Sequence, residues 1–218
     1  MDENELKNIA SQLRQPHGEK GIEIGDMMND GNLPMNMHSL AVLNPEANDH
    51  VLELGMGNGA FIKNIVNMDP SIQYTGYDYS DLMVEEAVKN NRLLVDDGRV
   101  KIVKGDGQNL PFENNSFNKI FTINTLYFWE DVSKVFSELK RVLRPKGKLI
   151  ISIRPKHNLE KFPVTAYGFS KFTKADILRL FQSNGFAQLE VTEIVEPPQE
   201  RDGNVYERES LIVSGQLN

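Results

Sequence analysis

The stretch Glu53-Leu54-Gly55-Met56-Gly57-Asn58-Gly59-Ala60 carries the most chemical content in this chain. An apolar run, Val51 to Leu54, precedes it, and Phe61, Ile62, Ile65 and Val66 follow at helical spacing. Glycines between a strand and a helix permit positive φ and let backbone N–H groups come close to a ligand. The next apolar run ends at Asp78, about 20 residues further on, where a carboxylate can accept hydrogen bonds from both hydroxyls of a ribose. The order strand, glycines, helix, strand, acid points to a nucleoside ligand.

The glycines alone do not choose the nucleoside. Gly55, Gly57 and Ala60 also satisfy G-x-G-x-x-A, which keeps a nicotinamide dinucleotide open. Three features point elsewhere. Glu53 lies beside the loop, where a carboxylate repels a pyrophosphate but welcomes an ammonium group. Asp106, in Gly105-Asp106-Gly107, is placed to accept from an exocyclic amine such as adenine's. The chain also ends in two strands without a helix between them, unlike a dinucleotide domain.

Those residues need a scaffold that brings strand ends together. Strands are expected at Val51–Leu54, Ile72–Tyr77, Val100–Val103, Lys119–Ile123 and Lys148–Ile153, the last entered through a Pro145-Lys146-Gly147 turn. Ser80 is the expected N-cap of a helix carrying Met83, Ala87 and Leu94. Val132, Val135, Phe136, Leu139, Val142 and Leu143 mark one face of another helix. Thr173 opens a further helix that runs to about Gly185, with Asp176 completing a capping box. Strands then follow at Phe186–Val195 and Leu211–Ser214, with residues 197–203 read as a loop. This alternation means an α/β fold with a parallel sheet covered on both sides and closed by an antiparallel pair. Residues 1–45 read as short helices separated by Gly18, Gly21, Gly25, Gly31, Pro34 and Pro45, rich in methionine (Met27, Met28, Met35, Met37). They form a helical flap, and residues 46–218 the main domain.

On these residues the chain resembles the class I S-adenosylmethionine-dependent methyltransferases, and most of all the small-molecule branch that includes the quinone-biosynthesis C-methyltransferases. The likeness covers roughly residues 48–155 by motif and the rest by topology. It implies a Rossmann-like, doubly wound, seven-stranded sheet. Val51 to Ala60 matches the first motif, with Glu53 at its acidic position and Gly55, Gly57 and Gly59 around the methionine part of the cofactor. Asp78 matches the ribose-binding acid, and Tyr79 and Met83 the side chains flanking adenine. Asp106, Gly107 and Gln108 match the adenine-recognition position ahead of Leu110-Pro111-Phe112. Asn124 and Thr125 match the positions facing the sulfur end, and Leu139 to Gly147 the helix-to-strand turn near the last motif. Met56 departs from the small or polar residue common there, which backbone binding tolerates.

Methyl transfer to a neutral hydroxyl or an acidic carbon needs a base, while an amine or an ionised group does not. The candidates are His38 in the flap, His157 after the fifth strand and Tyr127; His17 and His50 are worse placed. Tyr127-Phe128-Trp129 reads equally as an acceptor-pocket wall or as packing for the next helix. Lys156, His157, Lys161 and Lys171 make residues 154–172 locally basic, which suits either an anionic acceptor or a solvated loop. Asn124-Thr125-Leu126-Tyr127 stands where amino-methylating enzymes of DNA bases and glutamine carry Asn/Asp-Pro-Pro-Tyr/Phe, so that activity is not expected. The chain has no cysteine, which excludes a cysteine nucleophile, disulfides and thiolate metal sites. No His/Asp/Glu group has metal-ligand spacing.

The 218 residues suit one domain with an extension. A formal net charge of −7 argues against nucleic acid as partner, since phosphate affinity rests on clustered Lys and Arg. The start is acidic and polar, without a leader, and the apolar runs are too short to span a bilayer, so a cytoplasmic protein is the default. The expected partner is a small-molecule acceptor. Two rival readings are a nicotinamide-dependent oxidoreductase and a catalytically silent S-adenosylmethionine-binding protein.

Overall fold

Short runs that are apolar on both faces are buried only when helices cover both sides of their sheet. The computed structural model describes residues 1–201 and 204–218 and shows that arrangement. Two helices, α1 (Glu3–Arg14) and α2 (Gly18–Leu43), precede β1 (His50–Leu54), α3 (Ile62–Val66), β2 (Gln73–Asp78), α4 (Asp81–Asn90), α5 (Arg92–Asp96) and β3 (Val100–Lys104). Next come β4 (Phe117–Ile123), α6 (Val132–Val142), β5 (Leu143–Ile153), α7 (Lys156–Leu159), α8 (Lys174–Ser183) and β6 (Phe186–Val195). A small hairpin, β7 (Gln199–Arg201) and β8 (Asn204–Tyr206), leads to β9 (Glu209–Leu217).

Seven strands form one sheet in the order β3-β2-β1-β4-β5-β9-β6. The first five pair in parallel, and β9 runs antiparallel between β5 and β6. The winding reverses at β1, with β2 and β3 on one side and β4 and β5 on the other. A crevice therefore opens at the carboxyl edge between the two halves. Leu52 and Leu54 face a core shared with α6 and α8, through Phe136, Leu139 and Phe181. Val51 faces the opposite core, with Ile62 and Ile65 of α3 and Met35 and Leu43 of α2.

Four details differ from the sequence reading. The glycines at the N-terminus do not break it into short helices, because α2 runs unbroken for 26 residues. Gly21 and Gly25 instead permit close packing: a Cβ would stand 2.6 Å from Leu82 Cδ2 at the first and 3.2 Å from Met83 Cε at the second. Pro34 cannot donate to the Asp30 carbonyl, a loss offset by burial of Met35, Leu40 and Leu43. The second half of α2 is thus part of the core. The expected helix from Met83 to Leu94 divides at Asn91, whose amide donates to the Gly59 and Ala87 carbonyls, both at 3.0 Å. The turn at Pro145 to Gly147 lies within β5 as an irregularity in its pairing with β4. Part of the expected 197–203 loop is the β7 strand; Asp202 and Gly203 lie outside the described residues.

Candidate active site

The loop after β1 takes its shape from positive φ and one half-buried carboxylate. Gly55 and Gly57 have φ of +82° and +57°, and the Gly55 N–H is held by the Tyr77 carbonyl at 2.7 Å. A Cβ on Gly55 would stand 2.1 Å from Thr125 Cγ2, so this glycine lets the β1 and β4 ends close on each other. A Cβ on Gly57 would meet no protein atom within 4 Å; it would project into open space. Asp78 ties the loop to β2, accepting the Gly57 and Ser80 N–H groups at 2.9 Å each. Ser80 in turn caps α4, its hydroxyl accepting from Met83 N.

Beneath the loop, Glu53 is buried and accepts a 2.5 Å hydrogen bond from the Tyr74 hydroxyl. Burial raises its pKa to about 8, against the lowering effect of that bond, with the Asp78 charge adding to the rise. Burial also raises Asp78, which its backbone donors partly reverse. At the β3 end, Asp106 accepts from Gln108 N at 2.9 Å in a tight turn.

One cavity follows the carboxyl edge of the sheet. It touches Glu53, Gly55, Gly57, Asp78, Tyr79, Met83, Asp106, Gln108 and Asn124, so the structure brings these sequence-selected residues together. From β3 to β4 it crosses three strand spacings, about 14 Å. Gly59 and Gly107 do not line it. Gly59 (φ +70°) is a packing position, where a Cβ would stand 2.7 Å from Asn91 Nδ2 and 2.9 Å from Ile62 Cδ1. Gly107 (φ +78°) turns the chain over Leu54.

None of the three candidate bases reaches the cavity. His38 is exposed on α2, with Nδ1 at 2.7 Å from the Pro34 carbonyl. His157 is exposed and pairs with Glu209 at 2.7 Å. Tyr127 is buried beside the cavity wall, its hydroxyl donating to Asn124 Oδ1 at 2.8 Å, and burial raises its pKa. Phe128 and Trp129 do line the cavity. The basic segment after β5 is neutralised away from it: Lys156 pairs with Glu160, and Lys161 with Glu207 and Glu209. Among the described residues no group of three or more His, Asp or Glu could hold a metal.

A flap is expected here from the sequence, but the residues with which it faces the cavity are not. Leu13, Arg14 and Pro16 from the α1 end and Asn29, Asn32 and Asn36 from α2 all face the cavity. The three asparagines stand at i, i+3 and i+7, one face of a helix. That polar stripe was the available signal. Arg14 reaches across to Glu130 at 2.7 Å, and the Ser80 hydroxyl donates to the Pro16 carbonyl at 2.5 Å, holding the roof down.

The sequence profile of a methyltransferase domain matches residues 52–151. Among curated proteins the chain is 23% identical over 167 residues to the uncharacterized methyltransferase YdaC of Bacillus subtilis, covering 77% of this chain and 87% of that one. It is 33% identical over 127 residues to the demethylmenaquinone methyltransferase of Thermotoga maritima, covering 58% of this chain and 52% of that one. Residues 52–151 are a methyltransferase domain of the class I S-adenosylmethionine-dependent type. It spans only about half the length of the Thermotoga relative. Two solved structures share the fold. One is the Haemonchus contortus phosphoethanolamine N-methyltransferase 2 with phosphomonomethylethanolamine and S-adenosylhomocysteine (TM-score 0.74, 17% identity, 97% of this chain and 60% of that one). The other is YcgJ of Bacillus subtilis (TM-score 0.63, 18% identity, 84% and 99%).

The family's cofactor is S-adenosylmethionine, and the cavity suits it. Gly57 opens a cradle that a Cβ would fill. The two carboxylates, Glu53 buried and Asp78 half-buried, match a ligand with two positive groups and a ribose, and they oppose a pyrophosphate.

Proposed function

We propose that this protein transfers a methyl group from S-adenosylmethionine to a small-molecule acceptor held at the β4 end of the cavity. The observation that carries this reading is the division of one cavity into an acidic end, at Glu53 and Asp78, and a carboxamide end, at Asn32, Asn36 and Asn124. Bound S-adenosylmethionine supplies an activated methyl group on a positively charged sulfur. Glu53 holds the ammonium group and Asp78 the ribose hydroxyls. Asp106 and Gln108 meet the adenine edge, with Tyr79 and Met83 against its faces. Asn124 and Thr125 stand at the reacting end.

The roof of α1 and the first half of α2 excludes water, so that the acceptor is held in line with the methyl group. Among the described residues, no histidine or lysine lines the cavity. An acceptor atom that needs no protein base, an ionised oxygen or an amine, suits this lining. Isothermal titration against S-adenosylmethionine, S-adenosylhomocysteine and NAD, followed by a metabolite screen with labelled methyl donor, tests the reading. Binding of both sulfur compounds and label transfer to a small molecule are expected. Preferential NAD binding would overturn the reading, and cofactor binding without transfer to any acceptor would favour a silent binding protein.

A further inference from the structure

Behind the carboxamide end lies a charged cluster that cofactor binding leaves unused. Arg154 follows β5, Glu196 follows β6 and Arg208 precedes β9, and their exposures are only 9%, 3% and 8%. Arg154 Nη1 donates to Glu196 Oε1 at 3.1 Å, and Arg208 Nε stands 3.6 Å from Glu196 Oε2 without a hydrogen-bond partner. Two guanidiniums against one carboxylate leave one positive charge uncompensated. Burial and the neighbouring Arg154 charge lower the Arg208 pKa accordingly.

One side chain links this cluster to the cavity. Asn32 Oδ1 accepts from Arg154 Nη2 at 3.4 Å and from Asn124 Nδ2 at 3.0 Å. A guanidinium can only donate, so the Asn32 oxygen faces it. The Asn32 amide nitrogen then remains without a partner among the described residues, on a side chain that lines the cavity. Asn124 is oriented in the same way. The Arg154 N–H donates to the Tyr127 hydroxyl, which is left with its own proton to give to Asn124 Oδ1. Both arginines also donate to the Gly31 carbonyl, which anchors this turn of α2.

The geometry points to an oxyanion subsite: the acceptor carries a carboxylate or phosphate group to which Asn32 Nδ2 donates, in the field of the Arg154–Arg208 pair. This rests on the methyltransferase reading and names its substrate class. The cavity's carboxylates do not oppose it there. Glu53, Asp78 and Asp106 belong to the β1, β2 and β3 ends, and Glu130 is paired with Arg14. Asp26, behind the wall, accepts from Asn58 at 3.0 Å.

The test uses the full chain saturated with S-adenosylhomocysteine. It is titrated with acetate and with inorganic phosphate, against acetamide and chloride at matched ionic strength, while side-chain amide signals are followed by NMR. The Asn32 pair is identified by its loss in Asn32→Asp. Acetate or phosphate should shift that pair, and the better of the two identifies the group. Asn32→Asp should weaken anion binding about tenfold or more, since a charge-assisted bond is replaced by repulsion. Glu196→Gln should tighten it. Equal saturation by acetamide, an unmoved Asn32 pair, or unchanged anion affinity in Asn32→Asp would each overturn the subsite. Failure to bind S-adenosylhomocysteine at all would instead sink the methyltransferase reading, and this inference with it.

Discussion

The Tyr74 hydroxyl, from β2, donates to the Glu53 carboxyl, from β1, at 2.5 Å beneath the glycine loop. Both side chains are buried, Tyr74 at 1% and Glu53 at 5% exposure. With its pKa near 8, Glu53 is mostly protonated at neutral pH in the cofactor-free protein.

Cofactor affinity should therefore depend on pH. An ammonium ligand is held by ionised Glu53, so binding at pH 7 releases close to one proton. Affinity should rise up to about tenfold per pH unit below 8 and level off above it. Tyr74→Phe removes a bond that lowers the carboxyl and should move the bend to higher pH. Titration calorimetry in buffers of different ionisation enthalpy reads the proton directly. A flat affinity from pH 6 to 9 would contradict the assignment.

The same group affects folding with the opposite sense. Its folded pKa lies above the unfolded value of about 4.5, so the folded state binds more protons between the two. The stability that Glu53 contributes is complete below 4.5 and is lost as pH rises through 8. The upward shift of Asp78 acts in the same direction. Thermal melts of the cofactor-free protein should fall across that window, and Glu53→Gln should flatten the fall.

The two loop glycines should separate stability from binding. Gly55→Ala drives a Cβ into Thr125 and should cost about 1–3 kcal/mol of stability beyond its backbone strain. Gly57→Ala meets no protein atom and should cost only the left-handed backbone penalty, about 1–2 kcal/mol. It should nonetheless weaken S-adenosylhomocysteine binding at least tenfold. Full affinity in Gly57→Ala would place the ligand elsewhere.

Asp78→Ala should weaken cofactor binding by about 1–3 kcal/mol through the lost hydroxyl contacts and the freed Gly57 amide. Calorimetry checks it, with the far-ultraviolet circular dichroism spectrum as the control for folding.

Amide exchange in α1 and in the first half of α2 should slow when S-adenosylhomocysteine binds, because the roof closes over it. Arg14→Ala should change stability by less than about 1 kcal/mol, since the pair with Glu130 is largely exposed. The roof is also held by the Ser80–Pro16 bond and by the contact of Gly21 with Leu82. Identical exchange with and without ligand would remove the roof from cofactor binding.

Much of this protein was legible in one dimension because the signals are local. Strand, glycine turn and helix follow one another within β1 to α3, and Asp78 terminates the next strand. The parallel register then carries Gly55 and Asp78 to one edge without further information. The antiparallel ending followed from two strands with no helix between them. What the chain alone did not reveal depends on approach between distant segments. Gly21 and Gly25 read as helix breakers and Gly59 as a cofactor-loop glycine, yet each is small because another helix or side chain packs against it. Histidine is the usual base by type, but His38 and His157 face away from the cavity. Asn32, Asn124, Arg154, Glu196 and Arg208 are separated by up to 176 residues and share no pattern. Folding alone places them in one network, because hydrogen-bond direction and buried charge depend on which groups meet, not on the order in which they are joined.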